Sequence, residues 1–253
     1  MKSADGGRSW ANKGIMIEDN QPRMILKPHN TSVTFAGGVG DPSAVAEGNY
    51  LYLLYGEYGY PGKYDPETYN TQTEWSGQCI SIARIALQDL DAPVGKAKRW
   101  DGKSFGAAWD GTGRPIASLQ IPAAEGGGPA SSPQSKFYWG PSVSWNTYLH
   151  CWVMLMAKSE GPSWKGNSIY ISYNMHKDLG AGANSQDWSK PQLLVEKPGH
   201  IIWYPSLQPT SSAQDVAEKN TCLKLGQQVR LFYKDQYNYT SEYVSAYTIR
   251  FGK

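Results

Sequence analysis

Three stretches of the chain repeat one pattern of polar and apolar positions. Each opens on an x-Pro-Ser motif and an apolar strand, passes through a polar turn, and continues into a second strand rich in aromatic or aliphatic residues. The motif prolines are Pro42, Pro141 and Pro205. A sequence that repeats itself in this way predicts repeated structural units, each of which buries its apolar face against a neighbour.

A third strand is predicted after each pair, over residues 79–87, 168–173 and 243–251. The first two alternate between large apolar and smaller or polar residues, which is the two-residue period of a β-strand. Residues 187–194 add a polar turn and a short edge strand to the second unit. No segment longer than about ten residues shows the 3.6-residue period of a helix. Units of four strands repeated radially make a β-propeller, so we predict an all-β propeller.

The units are unevenly spaced. Pro42 and Pro141 are much further apart than the roughly 40–50 residues of an ordinary blade, because residues 59–77 and 111–135 are poor in strand signals. These two stretches are predicted to be long surface loops, and the alternative is that they conceal the strands of shorter blades.

The whole chain, residues 1–253, is predicted to be one propeller domain. Its blades start near residues 40, 139 and 203, and residues 1–36 supply part of a further blade. Three to four blades are therefore visible in the sequence.

Composition and charge exclude several classes of function. The net charge of the 253-residue chain is +2, which is too weak a field to attract nucleic acid or an anionic membrane. No run approaches the ~20 apolar residues that a membrane span requires. The high aromatic content, 13% with 10 Trp and 17 Tyr, is typical of a folded core and argues against disorder.

The three cysteines, Cys79, Cys151 and Cys222, lie far apart and have no histidine at metal-ligand spacing. We therefore predict neither a metal site nor a disulfide framework, although one pair could bridge in an exported protein. No cofactor-binding motif is recognised, and residues 37–40 precede a strand instead of the helix that a phosphate loop requires.

The first ten residues carry the most specific motif. Residues 3–10 read SADGGRSW and fit the pattern S-x-D-x-G-x-x-W. In such a turn the aspartate accepts backbone N–H groups, glycine permits a positive φ, and the tryptophan is expected to pack beneath the hairpin. The pattern resembles the Asp-box of sialidase-like propellers.

With the sequence GDPS at residues 40–43 and the repeats at Trp139 and Trp203, the chain resembles the five-bladed β-propeller glycoside hydrolases and their Asp-box relatives. The resemblance implies a glycoside hydrolase with a carbohydrate ligand, no cofactor, and carboxylates that converge in a central funnel. It also implies an extracellular or periplasmic protein, although the chain as given shows no signal peptide.

The candidate catalytic residues are Asp41, Glu57 and Asp235. Alignment of the three repeats places Asp41, Gly140 and Tyr204 at the same position of the inner strand, and only the first is acidic. Hydrolysis normally requires two carboxyl groups that flank the glycosidic bond. By the resemblance, Asp41 is expected to act as the base or as a carboxylate that modulates a pKa, with Glu57 or Asp235 as its partner.

Three explanations remain for the missing acids at this position. They lie on blades outside this chain, they come from other strand positions such as Glu57 and Asp235, or the protein binds sugar without cleaving it. The last explanation predicts a noncatalytic or degenerate carbohydrate-binding propeller.

Four aromatic residues directly precede or begin inner strands, and these are Tyr138, Trp139, Trp203 and Tyr204. The resemblance places them in the funnel, where sugar rings would stack on them. The alternative is that they pack between blades, as aromatic residues in propellers also do.

The two ends of the chain decide whether the ring of blades closes. Residues 243–251 are predicted as a third strand and residues 14–17 as a fourth, so they could complete one shared blade. An open ring would instead expose an apolar blade face and favour a homo-oligomer through that edge. We expect the open arrangement, since three or four blades would crowd a funnel built for five.

Overall fold

The computed structural model describes residues 1–19, 38–58, 78–127, 136–160, 164–180, 186–237 and 241–252. In chain order its strands are β1 (Val39–Glu47), β2 (Tyr50–Glu57), β3 (Cys79–Ala86), β4 (Lys98–Arg99), β5 (Phe137–Asn146), β6 (Cys151–Ser159), β7 (Ser168–Asn174), β8 (Gln192–Glu196), β9 (His200–Pro209), β10 (Lys224–Leu225), β11 (Gln228–Tyr237) and β12 (Ser241–Arg250). A short helix, α1 (Ala213–Ala217), and 3-10 turns at Leu87–Asp89, Ala117–Leu119 and Ala123–Glu125 lie between strands. The all-β prediction is confirmed.

The strands form three sheets, one for each predicted repeat. Their orders are β1-β2-β3-β4, β10-β5-β6-β7-β8 and β12-β11-β9. The main strands are antiparallel, and the short β10 joins the second sheet in parallel with β5. Because β1 contacts β5 and β5 contacts β9, the three strands that carry the x-Pro-Ser motifs are innermost. The propeller prediction is thus confirmed, with three blades in the described part of the chain.

Strand β6 shows how neighbouring blades share the core. Its sequence is apolar at nearly every position because both of its faces are buried. Since successive side chains of a strand point to opposite faces, Met154 packs in one cluster with Leu54 and Ile82 of the first sheet. Val153 packs in a second cluster with Leu231 of the third sheet. One strand therefore joins both blade interfaces.

Each innermost strand contains a β-bulge at the residue before its motif proline. Asp41, Gly140 and Tyr204 have positive φ angles of 48°, 58° and 53°, and the pairing registers shift at the same places. Bulges bend a strand and redirect its side chains. Glycine and aspartate tolerate this conformation, whereas a bulky residue such as Tyr204 is strained by about 1–3 kcal/mol. The three positions before the motif prolines therefore share one backbone conformation as well as one place in the motif.

The predicted loop over residues 111–135 contains no strand in its described part, residues 111–127, but it is not confined to the surface. Ile116 is fully buried in the first sheet's cluster, and its N–H donates to the Ile80 carbonyl at 3.0 Å. This stretch covers the first sheet because its apolar residues are needed to complete the core. Residues 59–77 and 128–135, which hold the rest of the predicted loops, lie outside the described residues.

The motif at residues 3–10 forms the expected turn. The Asp5 carboxylate accepts Ser9 N–H at 2.9 Å and Ser9 Oγ–H at 2.6 Å, and Ser3 donates to it at 2.8 Å. The hydrogen bonds from Ser9, and then that from Ser3, lower the pKa of Asp5 to about 2. Trp10 differs from expectation, since it is 58% exposed and holds the turn by donating to the Gly7 carbonyl.

The predicted fourth strand over residues 14–17 is wrong, since this segment is not a strand. Its neighbour Glu18 donates its N–H to the Trp109 carbonyl at 3.0 Å and accepts a hydrogen bond from Arg99 at 2.9 Å. Met16 and Ile17 line a small cavity together with residues of β1 and β2, while Ile15 is half exposed. The described residues 14–17 and 243–251 therefore do not form a shared blade.

Strand β12 lies at the edge of the third sheet, and β11 is its one partner strand within the described residues. Three large side chains on it, Tyr243, Val244 and Tyr247, are exposed. An edge of this kind offers unpaired backbone groups to another chain. Association of two copies through this edge stays a prediction.

Candidate functional site

A cavity of about 290 Å³ opens where the three innermost strands meet. Its lining comes from the bulged ends of β1, β5 and β9, from the end of β2 and from the connection after β6. The lining residues are Val39, Gly40, Asp41, Tyr58, Trp139, Trp164, Trp203 and Tyr204. We call this site the aromatic cavity. It brings together four of the seven predicted site residues, namely Asp41, Trp139, Trp203 and Tyr204.

Trp139 is the centre of the aromatic walls. Its ring centroid lies 5.7 Å from that of Trp203, 5.4 Å from that of Tyr204 and 6.4 Å from that of Trp164, with interplanar angles of 74°, 75° and 61°. Tyr58 meets Trp164 at 83° and 6.0 Å. Edge-to-face pairs of this kind stabilise by about 0.5–1.5 kcal/mol each beyond their burial. The aromatic side chains that line the cavity thus pack against one another at steep interplanar angles.

Asp41 supplies the carboxylate of the aromatic cavity. Its Oδ2 accepts a short hydrogen bond from the Tyr58 hydroxyl, while the structure gives its Oδ1 no donor among the described residues. Burial, together with the Asp41 hydrogen bond and charge, raises the pKa of Tyr58 far above its usual value. Burial and the Asp41 charge also raise the pKa of Tyr204. Both phenols therefore remain protonated at neutral pH.

One polar group beside the aromatic cavity lacks a partner. Trp139 is 3% exposed, and within the described part of the chain its Nε1–H makes no hydrogen bond. By contrast, Trp203 Nε1 donates to the Trp164 carbonyl at 2.7 Å. A buried donor without an acceptor costs about 1–3 kcal/mol.

Glu57 does not line the aromatic cavity. It is fully buried and forms an ion pair with Arg99, which is also fully buried. Glu57 Oε2 further accepts the Gly113 N–H at 2.9 Å, and Arg99 Nε donates to the Tyr55 hydroxyl at 2.9 Å. These contacts hold β2 and β4 against the segment at residues 111–127. The role of Glu57 in this arrangement is structural.

Asp235 also lies outside the cavity lining. Its carboxylate is paired with Lys197 and lies 2.7 Å from His200 Nδ1 and 2.8 Å from Ser245 Oγ, which donates to it. Burial opposes ionisation of this carboxyl, but the hydrogen bonds from Lys197, Ser245 and His200 outweigh it and lower the pKa of Asp235. The group therefore fastens β11 to its neighbours as a carboxylate.

Acid is expected to weaken the fold through Asp235. A carboxyl whose pKa is lower in the folded state than in the unfolded state stabilises the fold at pH values above its unfolded pKa of about 3.9. This stabilisation is lost as the pH falls through the pKa of the folded state. Urea unfolding at pH 7 and pH 3 should show a smaller acid-induced loss in Asp235→Asn than in the parent protein. Equal losses in both proteins would contradict this assignment.

Tyr138 lies next to Trp139 in sequence but packs elsewhere. Because neighbouring residues of a strand point to opposite faces, it contacts the Tyr170 ring at 5.0 Å and belongs to the cluster of the first two sheets. Its position fits the alternative of packing between blades. Tyr58 and Trp164 also line the cavity, but the sequence does not predict them as site residues, since neither belongs to the repeated motif.

No grouping of three or more His, Cys, Asp or Glu side chains that could hold a metal ion occurs among the described residues. The three cysteines are free thiols, with Cys79 and Cys151 buried and Cys222 exposed. In the same part of the chain, the helices lack the length and apolar character required for crossing a membrane.

Comparison with known proteins gives no family model and no curated protein that matches the chain. An N-acetylgalactosamine deacetylase from F. plautii, solved with blood group B trisaccharide, is similar at 14% identity and a TM-score of 0.40, over 76% of this chain and 39% of that one. An exo-β-1,3-galactanase from Phanerochaete chrysosporium, solved with β-1,3-galactotriose, is similar at 9% identity and a TM-score of 0.43, over 83% of this chain and 38% of that one. The chain thus spans less than half the length of either.

Proposed function

We propose that the protein binds a carbohydrate in the aromatic cavity, with the ring of one sugar residue against the tryptophan and tyrosine walls. The observation that carries the proposal is the meeting of Asp41 with five aromatic side chains at the bulged ends of the inner strands. Sugar rings present C–H faces that suit aromatic surfaces, and their hydroxyls require hydrogen-bond partners. Asp41 Oδ1 is an acceptor that has no donor among the described residues.

The size of the cavity sets the size of the ligand. Small-molecule sites usually occupy about 300–1,000 Å³ and are mostly apolar, with a few polar groups that fix orientation. At about 290 Å³, the aromatic cavity lies at the small end of this range. We therefore propose that it takes a single sugar residue or one end of a longer saccharide.

Glycoside hydrolysis is the second candidate, and it rests on Asp41 as the base. Retaining and inverting hydrolases place two carboxyl groups about 5–5.5 Å or about 6.5–9.5 Å apart. Asp41 is the one carboxyl among the described residues that line the cavity. The other two candidates, Glu57 and Asp235, are already held in ion pairs. Binding without cleavage is therefore the function that the geometry supports best.

Titration with a panel of neutral oligosaccharides tests the proposal, with calorimetry for binding and reducing-end detection for cleavage. We expect saturable binding without product. Asp41→Asn should weaken binding roughly 10- to 100-fold, because a hydrogen bond to a charged group is worth about 1.5–3 kcal/mol.

The matched control is Asp89→Asn, which makes the same change of charge in a turn that does not line the cavity. It should bind like the parent protein. Absence of binding to every saccharide, or equal binding by Asp41→Asn, would reject the proposed site. Release of new reducing ends would favour the hydrolase instead.

A further inference from the structure

The described lining of the aromatic cavity carries one formal charge. Asp41 is its acid, and the described lining residues include no lysine, arginine or histidine. Tyr58 and Tyr204 remain neutral, as their raised pKa values show. Outside the lining, Lys234 contacts one of its side chains: its Nζ lies 4.9 Å from the Trp203 ring centroid and 2.9 Å from Glu242. The lining therefore favours a positive charge over a negative one.

The described lining combines aromatic rings with an acid. The face of an aromatic ring is electron-rich and attracts an ammonium group within about 6 Å, most strongly for tryptophan. Trp139 meets Trp203 and Tyr204 at steep angles, so the walls point in several directions around a small volume. Flat stacking of one sugar face uses a single wall, whereas a compact cation contacts several walls at once. Lys234 shows that the Trp203 ring already accepts an ammonium group.

We infer that the aromatic cavity recognises an ammonium group, carried on an amino sugar whose charge lies between the ring faces and Asp41. This inference rests on the proposed function, since it assumes a carbohydrate and specifies its chemical class. Asp41 Oδ1, which has no donor among the described residues, accepts the N–H of the amine, and the hydrogen bond from Tyr58 holds Oδ2 in place. Acidic sugars are disfavoured, because their carboxylate would face Asp41 without a cation in the described lining.

A matched set of ligands tests this class on the full chain. The β-1,4-linked trisaccharides of glucosamine, N-acetylglucosamine, glucose and glucuronic acid share one linkage and differ in the substituents of the ring. The corresponding galacto-configured methyl glycosides cover the other common configuration. Calorimetry at a pH where the amine is protonated should give about 10- to 100-fold tighter binding of the amino sugar than of its neutral counterpart, and no binding of the uronate.

Asp41→Asn should reduce the preference for the amino sugar over the neutral sugar to a few-fold, while Asp89→Asn should keep it. Loss of the preference in Asp41→Asn alone supports the inference. Equal or tighter binding of the neutral sugar by the parent protein overturns the inference and leaves the proposed function standing.

Tetramethylammonium is the third arm of the experiment. If tetramethylammonium binds and none of the saccharides does, the cavity recognises a cation, and a carbohydrate as the carrier of that cation is rejected. Failure of the saccharides and of tetramethylammonium alike would overturn both. The melting temperature of each variant, measured in parallel, distinguishes a loss of binding from a loss of fold.

Discussion

Replacing Arg99 by methionine is expected to lower the free energy of unfolding by about 3–5 kcal/mol, which is the usual result of stranding one member of a buried ion pair. Arg99 and Glu57 are both completely shielded from solvent, so the remaining carboxylate would have neither its partner nor water. The variant also removes the hydrogen bonds that Arg99 donates to the Tyr55 hydroxyl and to the carbonyls of Glu18 and Gly111. The midpoint and slope of urea unfolding measure the change.

Two controls separate the charge from the loss of packing. The double variant Arg99→Met with Glu57→Gln leaves no charge at this buried position and should regain a large part of the lost stability. Lys190→Met breaks an exposed ion pair with Glu125 and should change stability by no more than about 1 kcal/mol. A loss in Arg99→Met as small as that in Lys190→Met would show that the buried pair does not hold the first blade.

Trp139→Ala is expected to have the largest effect on ligand binding, with a loss of affinity of at least roughly 30-fold. The residue contacts Trp164, Trp203 and Tyr204, so its removal takes one wall of the cavity and the support of three others. Central, well-packed tryptophans commonly contribute 2 kcal/mol or more to binding. Truncation of a buried tryptophan also costs about 3–5 kcal/mol of stability. Calorimetry and urea unfolding therefore belong to the same experiment.

Tyr138→Ala is the matched control, because it truncates the neighbouring aromatic residue on the opposite face of β5. It should lower stability through lost packing against Tyr170 and leave the affinity of the folded protein unchanged. Trp139→Phe keeps a ring and removes the Nε1–H, so its affinity should lie between those of the parent protein and Trp139→Ala. Equal losses of affinity in Tyr138→Ala and Trp139→Ala would contradict the role of this wall.

The architecture could be predicted because its signals are local. Alternation along a strand is fixed by the geometry of the backbone, and the x-Pro-Ser motif marks the same position in every blade. Aligning these motifs was enough to bring Asp41, Trp139, Trp203 and Tyr204 to one place, since equivalent positions of radially repeated units meet near a common axis. The segment at residues 14–17 has a strand-like local pattern, but the structure forms no strand there, because pairing depends on a partner edge that the local pattern does not specify.

The partners of the charged residues could not be predicted in this way. Glu57 and Arg99 are 42 residues apart in sequence, and a glutamate at the end of a strand has the same local pattern whether it faces water or a buried arginine. The same holds for Asp235, whose partner Lys197 comes from the connection before β9. Ion pairs of this kind depend on how the blades and loops dock, and the repeat carries no information about that.

The bulge shared by the three blades makes the centre of this fold easy to alter in evolution and in design. Gly140 has the same left-handed conformation as Asp41, and a Cβ built on it would meet nothing closer than Tyr204 Cδ1 at 3.9 Å. Aspartate is among the residues that accept this conformation, and its codons can differ from those of glycine by a single base. The meeting point of the three innermost strands therefore lies one substitution away from a second carboxyl group.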